Sequence, residues 1–266
     1  MIVTFLGTSH GITEGNRFTS SILVSAGGKN YLIDAGAPIM KLTRERGIEP
    51  SDINSIFITH SHADHYMGLL EFANQVDNFK EFEGVKITVY APKLFPFLAM
   101  REFLFGKDAV NDIRKSLSTG GSRPKAQDTE GFRIGCEYYA DEGVIFDDGV
   151  MKVTAIPTAH MKDSHAFLLE ADGKSVLITG DIRADLADFP KVAFERELDL
   201  LVTEAAHPML DSDACFSTLS RCNTKKLIIT HICDWRNTPD MIAALAKKLE
   251  SHTHLTAAND GDSFEI

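Results

Sequence analysis

One turn of six residues constrains this chain more than any other feature. Residues 60–65 read His-Ser-His-Ala-Asp-His and follow the apolar run at 56–58. Buried imidazoles and carboxylates each need a partner, and four such groups in one turn would need many partners at once. A bound metal ion satisfies them together. Apolar residues at 57–58 and 67–70 indicate that the turn is buried. The pattern therefore predicts a metal site, in which His60 and His62 project to one side while Asp64 and His65 reach a second centre.

The remaining patterning predicts strands and helices in alternation. β-branched runs at 2–6, 21–24 and 31–34 predict hairpins, and Pro38 to Gly47 is typical of a helix with a glycine cap. A strand at 55–59, a helix from Met67 or Leu69 and a strand at 87–90 follow. In the second half we expect strands at 152–156, 166–170, 175–179, 198–203 and 226–230. Thr238 and Pro239 predict the start of a last helix.

The two halves of the chain resemble each other. Residues 32–36 (Leu-Ile-Asp-Ala-Gly) correspond to 177–181 (Leu-Ile-Thr-Gly-Asp), and 56–60 correspond to 227–231. In each case an apolar strand ends at a metal-type ligand, because a rigid sheet fixes the backbone while the loop exposes the side chain. This repetition favours two similar layers packed face to face with the site between them.

Composition is that of a soluble globular protein, with 44% hydrophobic and 24% charged residues in 266. No apolar run approaches the roughly 18–20 residues that span a bilayer, and we expect no signal peptide after Met1. The net charge of −11 disfavours a protein that binds nucleic-acid backbones. Four cysteines without a C-x-x-C pair fit a reducing cytoplasm.

The segment at about 92–142 departs from the alternation of strands and helices. It carries Phe95, Phe97, Phe103 and Phe105 and then a Gly/Ser-rich stretch at 118–124. One interpretation is an extra helix that packs its aromatic side chains on the core. The other is a lid or dimer arm over the site within a single domain spanning 1–266.

The His60–His65 turn after an apolar strand resembles the signature of the metallo-β-lactamase superfamily, H-x-H-x-D-H. The other superfamily motifs appear in order as Asp34, His160, Asp181 and His231, so the resemblance covers residues 3–262. It implies an α/β fold, the αβ/βα four-layer sandwich of two mixed β-sheets flanked by helices. It also implies a dinuclear metal centre in the cleft between the sheets.

The resemblance assigns a role to each matching position. The first metal is expected to bind His60, His62 and His160. The second is expected to bind Asp64, His65 and His231, with Asp181 bridging both and Asp34 steadying the ligand loops by hydrogen bonds. Asp64 is counted among the catalytic residues as well. Imidazole and carboxylate ligands suit two divalent ions, Zn²⁺ first, with Mn²⁺ or Fe²⁺ as alternatives.

The opening residues 5–11 and 16–21 are similar to those of the ribonuclease Z and phosphodiesterase branch. That resemblance implies a tRNA-gripping arm between the third metal histidine and the bridging aspartate, but His160 and Asp181 are only 21 residues apart. The family's His-Ser-Thr motif reads Phe216-Ser217-Thr218 here. Both departures disfavour tRNA as a partner.

A leaving alkoxide needs a proton or a cation. With the usual histidine missing, His207 is the first general-acid hypothesis, oriented by Glu204, and His165 is the second. The alternative for each is a polar rim residue without a catalytic role. His10, in the loop after the first strand, is a weaker hypothesis for substrate contact.

The resulting functional hypothesis is a hydrolase of small phosphodiesters in which a metal-bridging hydroxide attacks phosphorus. A carboxyl-ester, lactone or thioester hydrolase on the same metals is the alternative, with an acyl pocket from the Phe-rich stretch at 95–105. A nucleic-acid-processing nuclease is a third reading. We expect a small-molecule substrate and no membrane partner, and a homodimer stays open.

Overall fold

A computed structural model describes residues 1–97, 99–100, 102 and 132–266. Within these residues the chain forms two seven-stranded sheets. Both sheets are mixed, because each contains a run of antiparallel strand pairs followed by a run of parallel pairs. The repeated topology confirms the predicted fold class. It also explains why the sequences of the two halves resemble each other.

The first sheet has the order β14-β1-β2-β3-β4-β5-β6. Its strands are β1 (Ile2–Gly7), β2 (Ser21–Ala26), β3 (Lys29–Ile33), β4 (Ile53–Phe57), β5 (Ile87–Ala91), β6 (Ile134–Tyr138) and β14 (Ser263–Glu265). The second sheet has the order β13-β12-β11-β10-β9-β8-β7. Its strands are β7 (Gly143–Asp147), β8 (Lys152–Pro157), β9 (His165–Ala171), β10 (Lys174–Ile178), β11 (Leu200–Glu204), β12 (Lys226–Thr230) and β13 (His254–Ala257).

Three apolar clusters separate four layers. The central cluster joins the inner faces of both sheets, and Phe57 contacts Phe146 and Phe167 there at ring-centroid distances of 5.2 and 6.3 Å. Helices cover the two outer faces. Over the first sheet lie α1 (Ile39–Arg44) and α2 (Met67–Asn78), and over the second lie α3 (Val192–Glu195), α4 (Asp213–Leu219) and α5 (Pro239–Leu249).

The last helix forms as its sequence predicts. The Thr238 hydroxyl accepts a hydrogen bond from the Met241 amide, and Pro239 occupies the first turn. Leu245 and Leu249 are buried against the second sheet. The helix predicted to run from Pro38 to Gly47 is shorter than expected and ends at Arg44.

Part of the unusual segment at 92–142 packs into the first core. Phe95 and Phe97 are buried there, which fits the core-packing interpretation for these two rings. Phe103, Phe105 and the stretch at 118–124 lie outside the described residues, so the lid or dimer arm stays a prediction. In the described part of the chain, no helix is both long and apolar enough to cross a membrane.

Candidate dinuclear metal centre

The predicted ligands meet at the carboxyl ends of parallel strands. Asp34 follows β3 and residues 60–65 follow the neighbouring β4 in the first sheet. In the second sheet, Asp181 follows β10, Glu204 ends β11 and His231 follows β12. Loops at this edge of an α/β sheet commonly build binding sites, because the strands fix where each loop begins.

The first cluster surrounds one oxygen of Asp181. His60 Nε2 and His160 Nε2 each lie 3.6 Å from Asp181 Oδ2. His62 Nδ1 lies 3.0 Å from His60 Nε2 and 3.1 Å from His160 Nε2. The four ligand atoms therefore converge on one point, as a metal ion requires.

The second cluster surrounds the other oxygen of Asp181. Oδ1 lies 3.4 Å from both His65 Nε2 and His231 Nε2. Asp64 Oδ2 lies 3.3 Å from His65 Nε2 and 3.2 Å from His231 Nε2. Because its two oxygens face different clusters, Asp181 has the geometry of a bridging carboxylate. All seven ligands predicted from the sequence are brought together.

Buried polar atoms without partners support metal binding. Among the described residues, His65 Nε2 and Asp181 Oδ1 are buried and make no hydrogen bond. Leaving such atoms unsatisfied costs roughly 1–3 kcal/mol each, and a cation between them removes that cost. The donor set of imidazole and carboxylate groups suits zinc, manganese or iron. The residues present thus fit two divalent ions.

Asp34 fixes both halves of the His60–His65 turn. Its Oδ2 lies 2.7 Å from His65 Nδ1, and its Oδ1 accepts the Thr59 amide at 2.8 Å. The Thr59 hydroxyl also contacts the carboxylate and lies 3.0 Å from His60 Nδ1. Asp34 itself has a φ of 58°, which aims its side chain away from the strand and beneath the ligands. These contacts match the steadying role that the resemblance implies.

Close backbone packing positions the same turn. A Cβ on Gly36 would lie 1.7 Å from the Asp64 carbonyl oxygen, and one on Gly68 would lie 1.7 Å from the Ala37 carbonyl oxygen. Only glycine allows these approaches. The ligand turn and the start of α2 are therefore locked against the loop after β3.

The electrostatics of the cluster favour ionised carboxylates. Burial opposes ionisation of Asp181, but His231 and His65 outweigh it and hold its pKa well below the usual value. Burial and the neighbouring His65 lower the pKa of His60 and favour its neutral form. Burial opposes protonation of His65 and His231, but Asp181 outweighs it and raises the pKa of both, so these two ligands must release protons when a dication binds.

Glu204 orients His207 at the rim of the centre. Glu204 Oε1 lies 2.7 Å from His207 Nδ1, and Oε2 accepts the His207 amide at 2.9 Å. Glu204 is 3% exposed, and the Ile182 amide also donates to it. His207 Nδ1 lies 3.8 Å from Asp181 Oδ2. The hydrogen bond to Glu204 raises the pKa of His207 above its ordinary value.

A cavity of about 240 Å³ opens over the second cluster. Its lining combines ligands with residues from the loop after β12. The lining residues are His10, Gly11, His62, Asp64, Asp181, Ala206, His207, His231, Cys233, Trp235 and Arg236. Trp235 and Arg236 were not found from the sequence, since they belong to no motif. Their position, four and five residues after the ligand His231, was the one feature of the sequence that could have placed them near the site. His10 reaches the cavity, as the weaker hypothesis suggested.

His165 does not reach the cavity, which corrects its place as the second general-acid hypothesis. It begins β9, is 3% exposed, and its Nδ1 lies 3.3 Å from the Tyr139 hydroxyl. The prediction placed His165 near the metal centre because it follows His160 by five residues. The turn between them instead directs His165 into β9. Phe216 likewise lies away from the site, on α4 with its ring 6.0 Å from that of His252.

Sequence comparison identifies a family and several relatives of this chain. Residues 1–221 match the family model described as Anti-Pycsar protein Apyc1. Ribonuclease Z of Geobacillus kaustophilus is 29% identical over 327 aligned positions, covering 100% of this chain and 99% of that protein. With ribonuclease Z of Methanopyrus kandleri, 33% identity extends over 92 residues, 35% of this chain and 32% of that relative. The chain thus spans about a third of that relative's length.

Solved structures show the same fold. YhfI from Bacillus subtilis, a metallo-β-lactamase fold protein, gives a TM-score of 0.70 at 16% identity and 99% coverage of both chains. Zn²⁺-bound PqqB from Methylobacterium extorquens gives 0.69 at 17% identity and 100% coverage of both. A diphosphatase of the PhnP family gives 0.64 at 20% identity, with 100% of this chain and 97% of that chain covered. The chain therefore belongs to the Anti-Pycsar Apyc1 family, and it has the fold of the metallo-β-lactamase fold proteins.

Proposed function

We propose that this protein is a dinuclear metal-dependent hydrolase of small phosphodiesters, with zinc as the first candidate metal. The observation that carries the proposal is the Asp181 carboxylate, whose two oxygens face different ligand clusters. Beside it lies His207, which pairs with Glu204. Two divalent ions held by these ligands would activate a water molecule as the nucleophile at neutral pH and would neutralise charge on the phosphoryl oxygens. The site then needs a proton donor for the leaving oxygen.

His207 has the geometry of that donor. Its Nδ1 is paired with Glu204 Oε1 at 2.7 Å, which leaves Nε2 as the nitrogen that can hand a proton to the leaving oxygen. The ring lies on the cavity wall. Arg236 donates a hydrogen bond to the His207 carbonyl and lines the same cavity, where its charge favours a phosphate group.

The cavity has room for a small substrate. About 240 Å³ admits a compact diester, with the exposed ring of Trp235 available to one ester group. Between His160 and Asp181 the chain forms only the β9–β10 hairpin, turned by Asp172 and Gly173 at φ values of 53° and 70°. The absence of an arm in this fully described stretch, with the net charge of −11, supports a small molecule over tRNA.

The carboxyl-ester, lactone or thioester alternative has weaker support. It requires an acyl pocket from the Phe-rich stretch at 95–105. Phe95 and Phe97 are buried in the first core and do not line the cavity, and Phe103 and Phe105 lie outside the described residues.

The deciding assay is turnover of bis(p-nitrophenyl) phosphate by zinc- and manganese-loaded protein, with Asp181→Ala as the negative control. We expect activity that Asp181→Ala abolishes. Protein shown to hold two metals per chain but inactive with either would refute the phosphodiesterase proposal and direct the search to lactones and thioesters.

A leaving-group series tests His207 separately. His207→Gln should slow cleavage of a diester with an alkyl leaving group by about 10²–10⁴-fold. It should affect p-nitrophenolate much less, since that leaving group needs no proton. His254→Gln, an exposed histidine on β13, is the matched control. Equal slowing of both substrates by His207→Gln would contradict the general-acid role.

A further inference from the structure

A second group of metal-binding side chains lies on the cavity wall, outside the dinuclear centre. His10, Glu14 and Cys233 each offer one ligand atom, and these atoms all lie within 4.8 Å of one another. His10 Nδ1 is 3.3 Å from Glu14 Oε1. The three side chains come from two loops, one after β1 and one after β12. None of them belongs to the ligand set assigned above.

The backbone around these residues is fixed by hydrogen bonds. Ser9 and Ile232 form a β-bridge between the two loops, and the His10 amide donates to the Ile232 carbonyl at 3.3 Å. Glu14 accepts the Asp234 amide at 3.1 and 3.2 Å. The Cys233 amide donates to Asn237 Oδ1 at 2.9 Å. Such bonds hold the three ligand atoms together without further ordering of the loops, which lowers the cost of binding.

One polar atom of the group makes no hydrogen bond within the protein. In the described part of the chain, His10 Nδ1 is buried and has no hydrogen-bond partner, although Glu14 lies close by. Cys233 is only 2% exposed. Two partly buried side chains, an imidazole and a carboxylate, thus converge with a buried thiol, and this donor set is typical of a metal site.

We propose that His10, Glu14 and Cys233 bind a third divalent cation, zinc or another ion that accepts thiolate. On binding, the Cys233 thiol releases its proton to solvent and the sulfur becomes a ligand. Three protein ligands leave a fourth position, as in zinc sites that retain a water. His10 and Cys233 both line the cavity, so this position faces the substrate space.

The consequence of this site is mechanical. A cation there would add a further link between the loop after β1 and the loop that carries His231, Trp235 and Arg236, which hydrogen bonds already join, and so would stabilise the cavity wall. This proposal does not depend on the reaction proposed above, because it is argued only from the positions of the three ligand atoms.

Cobalt(II) distinguishes this site from the dinuclear centre. The dinuclear ligands contain no sulfur, so sulfur-to-cobalt charge-transfer absorption in the near ultraviolet can arise only when a cysteine binds the ion. Titration of metal-free protein with Co²⁺ should give three equivalents, with this absorption accompanying one of them. Cys233→Ser should remove both the absorption and one equivalent, while the visible bands of the dinuclear centre remain.

Cys215→Ser is the matched control, since Cys215 is also buried but lies on α4. It should retain three equivalents and the absorption. Glu14→Gln, whose amide oxygen can still accept the Asp234 amide, should weaken the third site by about tenfold or more while keeping the fold. It serves as the test should Cys233→Ser fail to fold.

Wild-type protein that binds two equivalents without sulfur absorption would overturn the third site and leave the dinuclear proposal intact. Sulfur absorption that persists in Cys233→Ser would assign it to another cysteine and overturn the site as well.

Discussion

Replacement of Asp34 tests how strongly the ligand turn depends on a residue that binds no metal itself. Asp34→Asn keeps the size of the side chain but removes its charge. The amide can still accept from Thr59 through its oxygen, yet its NH₂ group then faces His65 Nδ1, where the carboxylate oxygen lies at 2.7 Å in the wild type. The variant therefore loses a buried charge-assisted hydrogen bond, and the new amide NH₂ group faces the N–H of His65, which is also a donor.

The magnitude follows from that contact. Loss of a hydrogen bond to a charged group costs about 1.5–3 kcal/mol, and Asp34 is 3% exposed, so water does not compensate. Because His65 is a ligand, part of this cost appears as roughly 10–100-fold weaker metal binding at the second cluster. The first cluster should weaken less, since Thr59 still contacts His60 Nδ1.

Competition between the protein and a chromophoric chelator measures the stepwise affinities, and urea unfolding of the metal-free protein measures the stability. Asp148→Asn is the matched control. Asp148 accepts bonds from Lys29, Tyr31 and the amides of Val150 and Met151, and it lies outside both ligand clusters. It should lower stability with unchanged metal affinity. Wild-type affinity of Asp34→Asn at both clusters would refute the reasoning.

Three further predictions concern packing, pH and substrate contact. Gly36→Ala should destabilise the fold by about 3 kcal/mol or more in urea unfolding, because its Cβ would lie 1.7 Å from the Asp64 carbonyl oxygen. Burial opposes ionisation of Asp148, but its bonds lower its pKa to about 2. Stability from Asp148, about 1–2 kcal/mol after solvent screening, should be present above pH 4 and lost as pH falls toward 2. Trp235→Ala should raise KM for bis(p-nitrophenyl) phosphate about fivefold, with no change for methyl p-nitrophenyl phosphate.

Each of these has a contradicting outcome. Gly15→Ala, where nothing lies within 4 Å of the added Cβ, should be neutral, and equal stability of Gly36→Ala would contradict the close approach. An Asp148→Asn variant that loses stability in acid as steeply as the wild type would assign the transition to other carboxylates. A KM increase for both diesters would mean that Trp235 shapes the cavity rather than contacting the ester group.

The His60–His65 turn could be predicted as a metal site because four ligand-type side chains follow an apolar strand, and the family resemblance supplied the other ligands. His207 was predicted because the family's usual histidine is missing here, and its 2.7 Å contact with Glu204 fits the predicted orientation. The prediction for His165 was wrong because it is the first residue of a strand, and the sequence pattern does not indicate which face of the sheet such a residue occupies. Trp235 and Arg236 lie in an irregular loop whose direction is set by bonds such as Cys233 to Asn237, which leave no periodic pattern.

Each ligand cluster draws on both sheets, and this has a consequence for synthesis of the chain. The first cluster needs His160 and Asp181 in addition to residues 60–65, and the second needs His231. Before β12 and His231 have been synthesised, the nascent chain lacks part of the ligand set. A chain that ends before His231 lacks one ligand of the second cluster, so we expect it to bind the second metal ion more weakly than the full chain.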